Sequence, residues 1–272
     1  MLAALLVLGA AVTAGAPAAG ARSPWVPAPG LRWQFQLQGT VRTNLCTVPY
    51  GGGRCVRPQV YDIDLYGRDG RTPDSAAVAA IHATGGHAVC YVDAGTWEDW
   101  RPDAGRYPAS VLGRSDGWPG ERWVDIRATG VLLPILAGRV AACARAGFDA
   151  VDFDNVDGYT NDTGFSLTAP EQLTFDTDLA QLAHDQGLSV GLKNDLGQLA
   201  ELRTVFDFAI DEQCAAFAEC GAYASWTAAH KAVVEIEYHL RQARFCPQAD
   251  AAGRDAVLKS TALRASPWKP CR

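Results

Sequence analysis

The sequence predicts an α/β protein of the (β/α)8 (TIM) barrel class, a single domain stabilised by disulfides. Three observations carry this. Short runs rich in Val, Ile, Phe and Tyr recur eight times between Trp33 and Lys259, with the length and composition of strands. Helical patterns between them stop at glycine and pass at once into an apolar run, at Gly85-Gly86, Gly147 and Gly187, which is how an αβ connection reads. Acids gather at the ends of two of the runs, where a parallel barrel presents its chemistry. A doubly wound sheet is the competing class, but no G-x-G-x-x-G follows the first strand, and eight strands is many for it.

Taken in order, Met1 to Ala21 carry no charge and are mostly Ala, Leu, Val and Gly. This stretch reads as a signal peptide, too short and too interrupted by Gly and Pro to span a bilayer. Residues 22–31, rich in proline, read as a linker, and 32–272 as the barrel domain. The expected strands are Trp33–Gln38, Val60–Leu65, His87–Val92, Ala150–Phe153, Leu188–Lys193, Phe206–Ile210, Val233–Ile236 and Ala256–Lys259. The expected helices are Asp74–Thr84, Val131–Ala146 and Ala169–Gln186; the last opens on Thr168-Ala169-Pro170-Glu171, a capping box with proline in the first turn. Residues 94–130 form a long insertion containing Trp97, Trp100, Trp118 and Trp123, and long loops at this face of a barrel usually carry function.

Composition narrows the class. The chain has 272 residues and a net charge of −6, which argues against nucleic acid or an anionic membrane as partner. No second apolar stretch reads as a membrane span, and a soluble monomer is expected. Eight cysteines suit an oxidising, extracellular location. Neighbouring cysteines suggest the pairs Cys46–Cys55, Cys214–Cys220 and Cys246–Cys271, which leaves Cys90 and Cys143. On its strand Cys90 points opposite to Tyr91 and Asp93, towards the covering helices, where Cys143 continues the stripe Leu132, Leu136, Val140. Spacing alone does not fix the connectivity. The five histidines are scattered and no C-x-x-C occurs, so neither a zinc enzyme nor a structural zinc site is expected.

The chemistry concentrates in Phe148-Asp149-Ala150-Val151-Asp152-Phe153-Asp154-Asn155-Val156-Asp157-Gly158-Tyr159. Side chains alternate along a strand, so Asp152 and Asp154 share the face that looks into the barrel, with Asp154 nearer the mouth. The same rule on Phe206-Asp207-Phe208-Ala209-Ile210-Asp211-Glu212 puts Glu212 at the rim beside Phe208 and Ile210. Strands four and six are two apart, a geometry that sets carboxylates roughly 5–10 Å apart, the range in which one protonates a glycosidic oxygen and the other meets the developing cation. Ion pairing or metal binding by the same acids is the alternative; Asp152-x-Asp154-x-x-Asp157 lacks the ligand and glycine positions of a calcium loop.

At these residues the chain resembles a known family. The run Gly147 to Asp157, then Gly191-Leu192-Lys193-Asn194-Asp195, then Asp211-Glu212-Gln213-Cys214 look like the successive motifs of glycoside hydrolase family 114. So do Trp33-Gln34-Phe35-Gln36-Leu37 and Tyr61-Asp62-Ile63-Asp64. The family contains endo-α-1,4-polygalactosaminidases. The resemblance implies a (β/α)8 fold, Asp154 and Glu212 as the catalytic carboxylates, a retaining mechanism with Asp154 as nucleophile and Glu212 as acid/base, no cofactor and no metal. The expected substrate is a polysaccharide of cationic amino sugars. Substrate contacts are expected from Asp64, Tyr91, Asp93, Asp152, Asn155, Asp157, Tyr159, Lys193, Asn194 and Glu237. Two other classes stay open on the residues alone: a barrel that binds glycan without cleaving it, and a metal-dependent phosphodiesterase built on the same acids.

Overall fold

The computed structural model describes residues 24–272; the expected leader, residues 1–21, lies outside the described residues. Eight parallel strands form the barrel wall: β1 (Trp33–Gln36), β2 (Val60–Asp64), β3 (His87–Asp93), β4 (Ala150–Asp154), β5 (Ser189–Lys193), β6 (Phe208–Glu212), β7 (Val233–Glu237) and β8 (Asp255–Leu258). They pair in chain order, and a short terminal strand, Lys269–Pro270, adds antiparallel to β8. Among the described residues no hydrogen-bonded ladder joins β8 to β1; side chains that follow β8 close the seam. Trp268 Nε1 donates to Trp33 O at 2.8 Å, and Lys259 Nζ donates to Gln34 Oε1 at 2.6 Å.

The helices are uneven. α1 (Ser75–His82), α2 (Thr129–Ala146) and α3 (Ala169–Asp185) cover β2 to β5, followed by the short α4 (Leu199–Leu202) and α5 (Ala224–Ala228) and then α6 (Gln242–Ala251). Among the described residues no helix follows β1 or β8. The caps act as their residues dictate. Asp74 Oδ1 accepts from Ala77 N, Thr168 and Glu171 close a capping box, and Gly147 takes φ 93° to end α2, a conformation that costs glycine nothing. One strand departs from expectation. β6 begins at Phe208 and runs through Glu212, two residues beyond the expected Phe206–Ile210. Asp207 is held outside it, accepting from Val190 N at 2.9 Å and pairing with His184.

Apolar side chains divide into two layers. Trp33, Phe35, Val60, Val89, Ala150, Phe208, Ile210, Val234, Ile236 and Val257 fill the barrel floor, while a larger layer lies between the sheet and α1, α2 and α3. α2 is long and apolar enough to cross a membrane, contrary to the expectation that no such stretch follows the leader. Its stripe Leu132, Leu136, Val140 and Cys143 is fully buried, and Cys143 is bonded to Cys90 of β3, so here it serves as a core helix. All four expected disulfides are present: Cys46–Cys55, Cys90–Cys143, Cys214–Cys220 and Cys246–Cys271. The segment before β1 is packed on the domain, with Trp25 stacked on His87 at 4.0 Å and Gly30 N donating to Asp255.

Candidate active site

β4, β5 and β6 each deliver one polar side chain to the mouth: Asp154, Lys193 and Glu212. Lys193 is buried, and its Nζ lies 3.0 Å from Asp154 Oδ1 and 3.5 Å from Glu212 Oε1. Laid end to end, those two legs cap the separation of the two carboxylate oxygens at about 6.5 Å, which admits the roughly 5–5.5 Å of retaining glycosidases. The acids are more open than the lysine, with side-chain exposures of 19% and 27%, so both face solvent across a shared cation.

Each acid has its own tyrosine. Tyr91 donates to Asp154 Oδ2 at 2.6 Å and Tyr238 donates to Glu212 Oε1 at 2.6 Å. Burial raises the pKa of both phenols, Asp154 adding to the effect at Tyr91 and Glu212 at Tyr238, so they remain donors at neutral pH. Burial alone would raise Asp154; the Lys193 charge outweighs it, with hydrogen bonds from Tyr91, Lys193 and Asn155 N, and Asp154 is held below the usual carboxylate range. Lys193 is the counterpart. Burial opposes its charge, but Asp154, Glu212 and Asp152 together hold its pKa well above the ordinary value. The cluster is an ionised carboxylate beside a permanent cation.

Backbone geometry after each strand serves these contacts. Asn155, Asn194 and Gln213 directly follow Asp154, Lys193 and Glu212 and take φ of 59°, 51° and 70°, the left-handed region that side chains enter only at a cost. The sharp turn brings Asn155 N to 2.9 Å from Asp154 Oδ1, and Asn194 Oδ1 accepts from Glu212 N at 3.1 Å. Gly95 makes room, since a Cβ there would stand 1.6 Å from the carbonyl oxygen of Asn155.

The remaining expected contacts separate into groups. Asp93 lies behind the cluster, accepting from Thr96 N, Thr96 Oγ1 and Asn155 Nδ2, and so ties the start of the 94–130 insertion to the turn after β4. Burial pushes its carboxyl up to about 8, with the Glu98 charge adding. Asp64 is gripped by both terminal nitrogens of Arg101 at 2.8 Å, and Arg101 also binds Glu98. Asp157 accepts from Asn161, and Tyr159 donates to Asp195 at 3.0 Å. Asp152 lies one layer below Asp154, fully buried with Asp62. Glu237 is not brought to the cluster. Its side chain lies on the outer face of β7 and accepts from Ala215 N at 2.8 Å.

Sequence reading missed Tyr238, Asp62 and Arg101. Alternation marks the first: Val234 and Ile236 face the interior, so Tyr238 does too and Glu237 does not. Alternation also places Asp62 inside, two residues before Asp64. No spacing rule points to Arg101, which arrives from the insertion. Trp226 is buried and its Nε1 donates to Leu199 O, while Trp100 is 43% exposed. Trp100 lines a cleft of about 350 Å³ with Gln36, Asp64, Asp74 and Arg68, at the β1–β2 edge of the mouth. Asp93, Glu98 and Glu121 bring carboxylate oxygens within 4.8 Å of one another, a spacing a cation accepts. Protein donors already engage Asp93 and Glu98.

A parallel barrel with two mouth carboxylates flanking a buried cation is the architecture of a barrel glycosidase. The family model for glycoside hydrolase family GH114 matches residues 14–271, and the chain belongs to that family. Among solved structures, Ega3 of Aspergillus fumigatus, in complex with galactosamine, is 31% identical with a TM-score of 0.79, covering 90% of this chain and 96% of its own. The glycoside hydrolase domain of PelA from Pseudomonas aeruginosa shares the fold at 16% identity and a TM-score of 0.58, covering 76% of this chain and 88% of that domain. No curated protein matches the sequence.

Proposed function

We propose that this glycosidase cleaves an α-1,4-linked, galactosamine-rich polysaccharide with retention of configuration, and that it does so outside the cell. The observation that carries the reading is Lys193 held between Asp154 and Glu212, at 3.0 and 3.5 Å. Asp154, ionised and oriented by Tyr91, attacks the anomeric carbon while Glu212 donates its proton to the departing glycosidic oxygen. The resulting glycosyl ester on Asp154 has consumed the nucleophile's charge, and Glu212 is now the base. Glu212 takes a proton from water, the hydroxyl adds to the anomeric carbon, and the bond to Asp154 breaks. Two inversions give net retention. Lys193 keeps Asp154 ionised before attack and stabilises it again as leaving group.

Substrate contacts are assigned to Tyr91, Asn155, Asp157, Tyr159, Lys193 and Asn194 around this pair, with the amino sugar's cation drawn to a chain of net charge −6. Asp64, Asp93 and Asp152 act by supporting the wall. The galactosamine complex of the related Ega3 supports the sugar class. Four disulfides and the apolar leader support export. The test is incubation of the protein, freed of its leader, with α-1,4-polygalactosamine and its N-acetylated form. New reducing ends are expected from the galactosamine polymer, unaffected by chelator and absent with Asp154→Asn. Binding without turnover would leave a glycan-binding barrel, and loss of activity in chelator would leave a metal-dependent enzyme.

A further inference from the structure

The barrel interior holds two acids that the reaction above does not use. Asp62 of β2 and Asp152 of β4 are 1% and 0% exposed, and their carboxyl groups lie within hydrogen-bond reach of each other. Among the described residues no N–H or O–H reaches any of their four oxygens. Below them are Val60, Val89, Ala150, Phe208 and Ile210. Asp152 sits beside Gly191 in the ladder, one layer under Lys193, and next to Tyr91 on its other side. The charged groups facing the pair are Lys193, Asp154 and, at Asp152, Glu212.

Two ionised carboxylates in such a place repel each other with no donor to replace the water they have lost. One proton between them removes the repulsion and creates an O–H···O⁻ hydrogen bond, which is strong because it is charge-assisted. Burial raises both carboxyls, Asp152 up to about 7 and Asp62 further; Asp152 adds to the retention at Asp62, the hydrogen bond between them lowers Asp152, and Lys193 opposes retention at both. Above the pKa of Asp152 the one proton that remains leaves one negative charge below the ammonium.

We propose that Asp62 and Asp152 share a single proton and act as positioning residues, their one negative charge anchoring Lys193 from beneath so that its cation spans Asp154 and Glu212 without collapsing onto either. The interior charge then stays constant through a cycle in which Asp154 loses its charge to the ester as Glu212 gains one. Deprotonating the pair would add a second negative charge, which disfavours ionisation of both catalytic acids.

The experiment uses the full mature chain with Asp62→Asn, Asp152→Asn and the double variant. An amide imitates the protonated member, donating to the remaining carboxylate, so each single variant keeps one negative charge. The double variant has none. Its alkaline limb of kcat/KM is expected about one pH unit lower, since a nearby negative charge no longer holds the catalytic proton on; in each single variant the limb stays where it is. This arm rests on the two-carboxylate reading. The second arm needs no substrate. In the wild type the pair's raised pKa values stabilise the fold at low pH, and that stability drains away as pH rises through them. The Tm of each single variant relative to wild type is therefore expected to climb steadily from about pH 4.5 to about pH 8. A Tm offset that is the same at every pH, or an alkaline limb that moves as far in a single variant as in the double, overturns the proposal.

Discussion

Glu212 and Glu237 end adjacent strands, the first partly open to solvent and the second buried, and only Glu212 belongs to the cluster. In the ladder Glu212 lies beside Ile236, so the inward position of β7 is taken by Ile236 and then Tyr238. Glu237 falls on the other face, where it fastens the Cys214–Cys220 loop through Ala215 N. Residue type put the two glutamates in one class; side-chain alternation separates them, one facing the interior and one facing out. The outer glutamate still serves the inner one, since the loop it holds begins two residues after Glu212.

The largest expected effect tests that contrast head on. Glu212→Gln should lower kcat about 10³-fold, the scale of losing an acid/base group, whereas Glu237→Gln should lower it less than about tenfold. Comparable losses would erase the distinction. Lys193→Met comes next, with kcat expected to fall about 10²-fold. Asp154, freed from the cation that holds its pKa down, should ionise at higher pH, so the acidic limb of the kcat/KM profile moves upward. An unmoved limb would mean the contact of 3.0 Å does not set the charge of Asp154. Tyr238→Phe removes one hydrogen bond to Glu212 and should cost about tenfold in kcat/KM, seen in steady-state rates; Tyr91→Phe, acting on Asp154, should shift the acidic limb instead. The smallest effect is thermal. Burial raises Glu237 to about 7, so its contribution to stability is full at low pH and is lost as pH rises towards neutrality. Scanning Tm across that window should show Glu237→Gln gaining on wild type as pH climbs.

The same contrast shows what the sequence disclosed. The strand register was legible because β-branched and aromatic runs alternate with capped helices, and Thr168 with Glu171 announced α3 almost to the residue. That Asp154 and Glu212 meet at the mouth was legible because both acids sit at strand ends on inward positions. The cysteine pairs followed from local spacing and, for Cys90–Cys143, from opposing faces of a strand and a helix. Glu237 was misplaced because its charge outweighed its position. The β6 boundary was set early because Phe206 is as apolar as Phe208, and only the turn built on Asp207 separates them. Arg101 could not be foreseen. It reaches Asp64, at the end of β2, and Glu98 from the 94–130 insertion, whose path is decided by tertiary packing, and no periodicity reports it. Asp62 was hidden for a different reason: a buried acid without a donor violates the expectation that polar groups inside are satisfied.

The central claim is that Asp154 forms the bond to sugar while Glu212 moves the proton. Treating the protein with a 5-fluoro-galactosaminyl fluoride and locating the label by peptide mass spectrometry tests it directly. The glycosyl group is expected on Asp154, with no label in Asp154→Asn. A label on Glu212, or turnover of the fluoride that continues in Asp154→Asn, would contradict it.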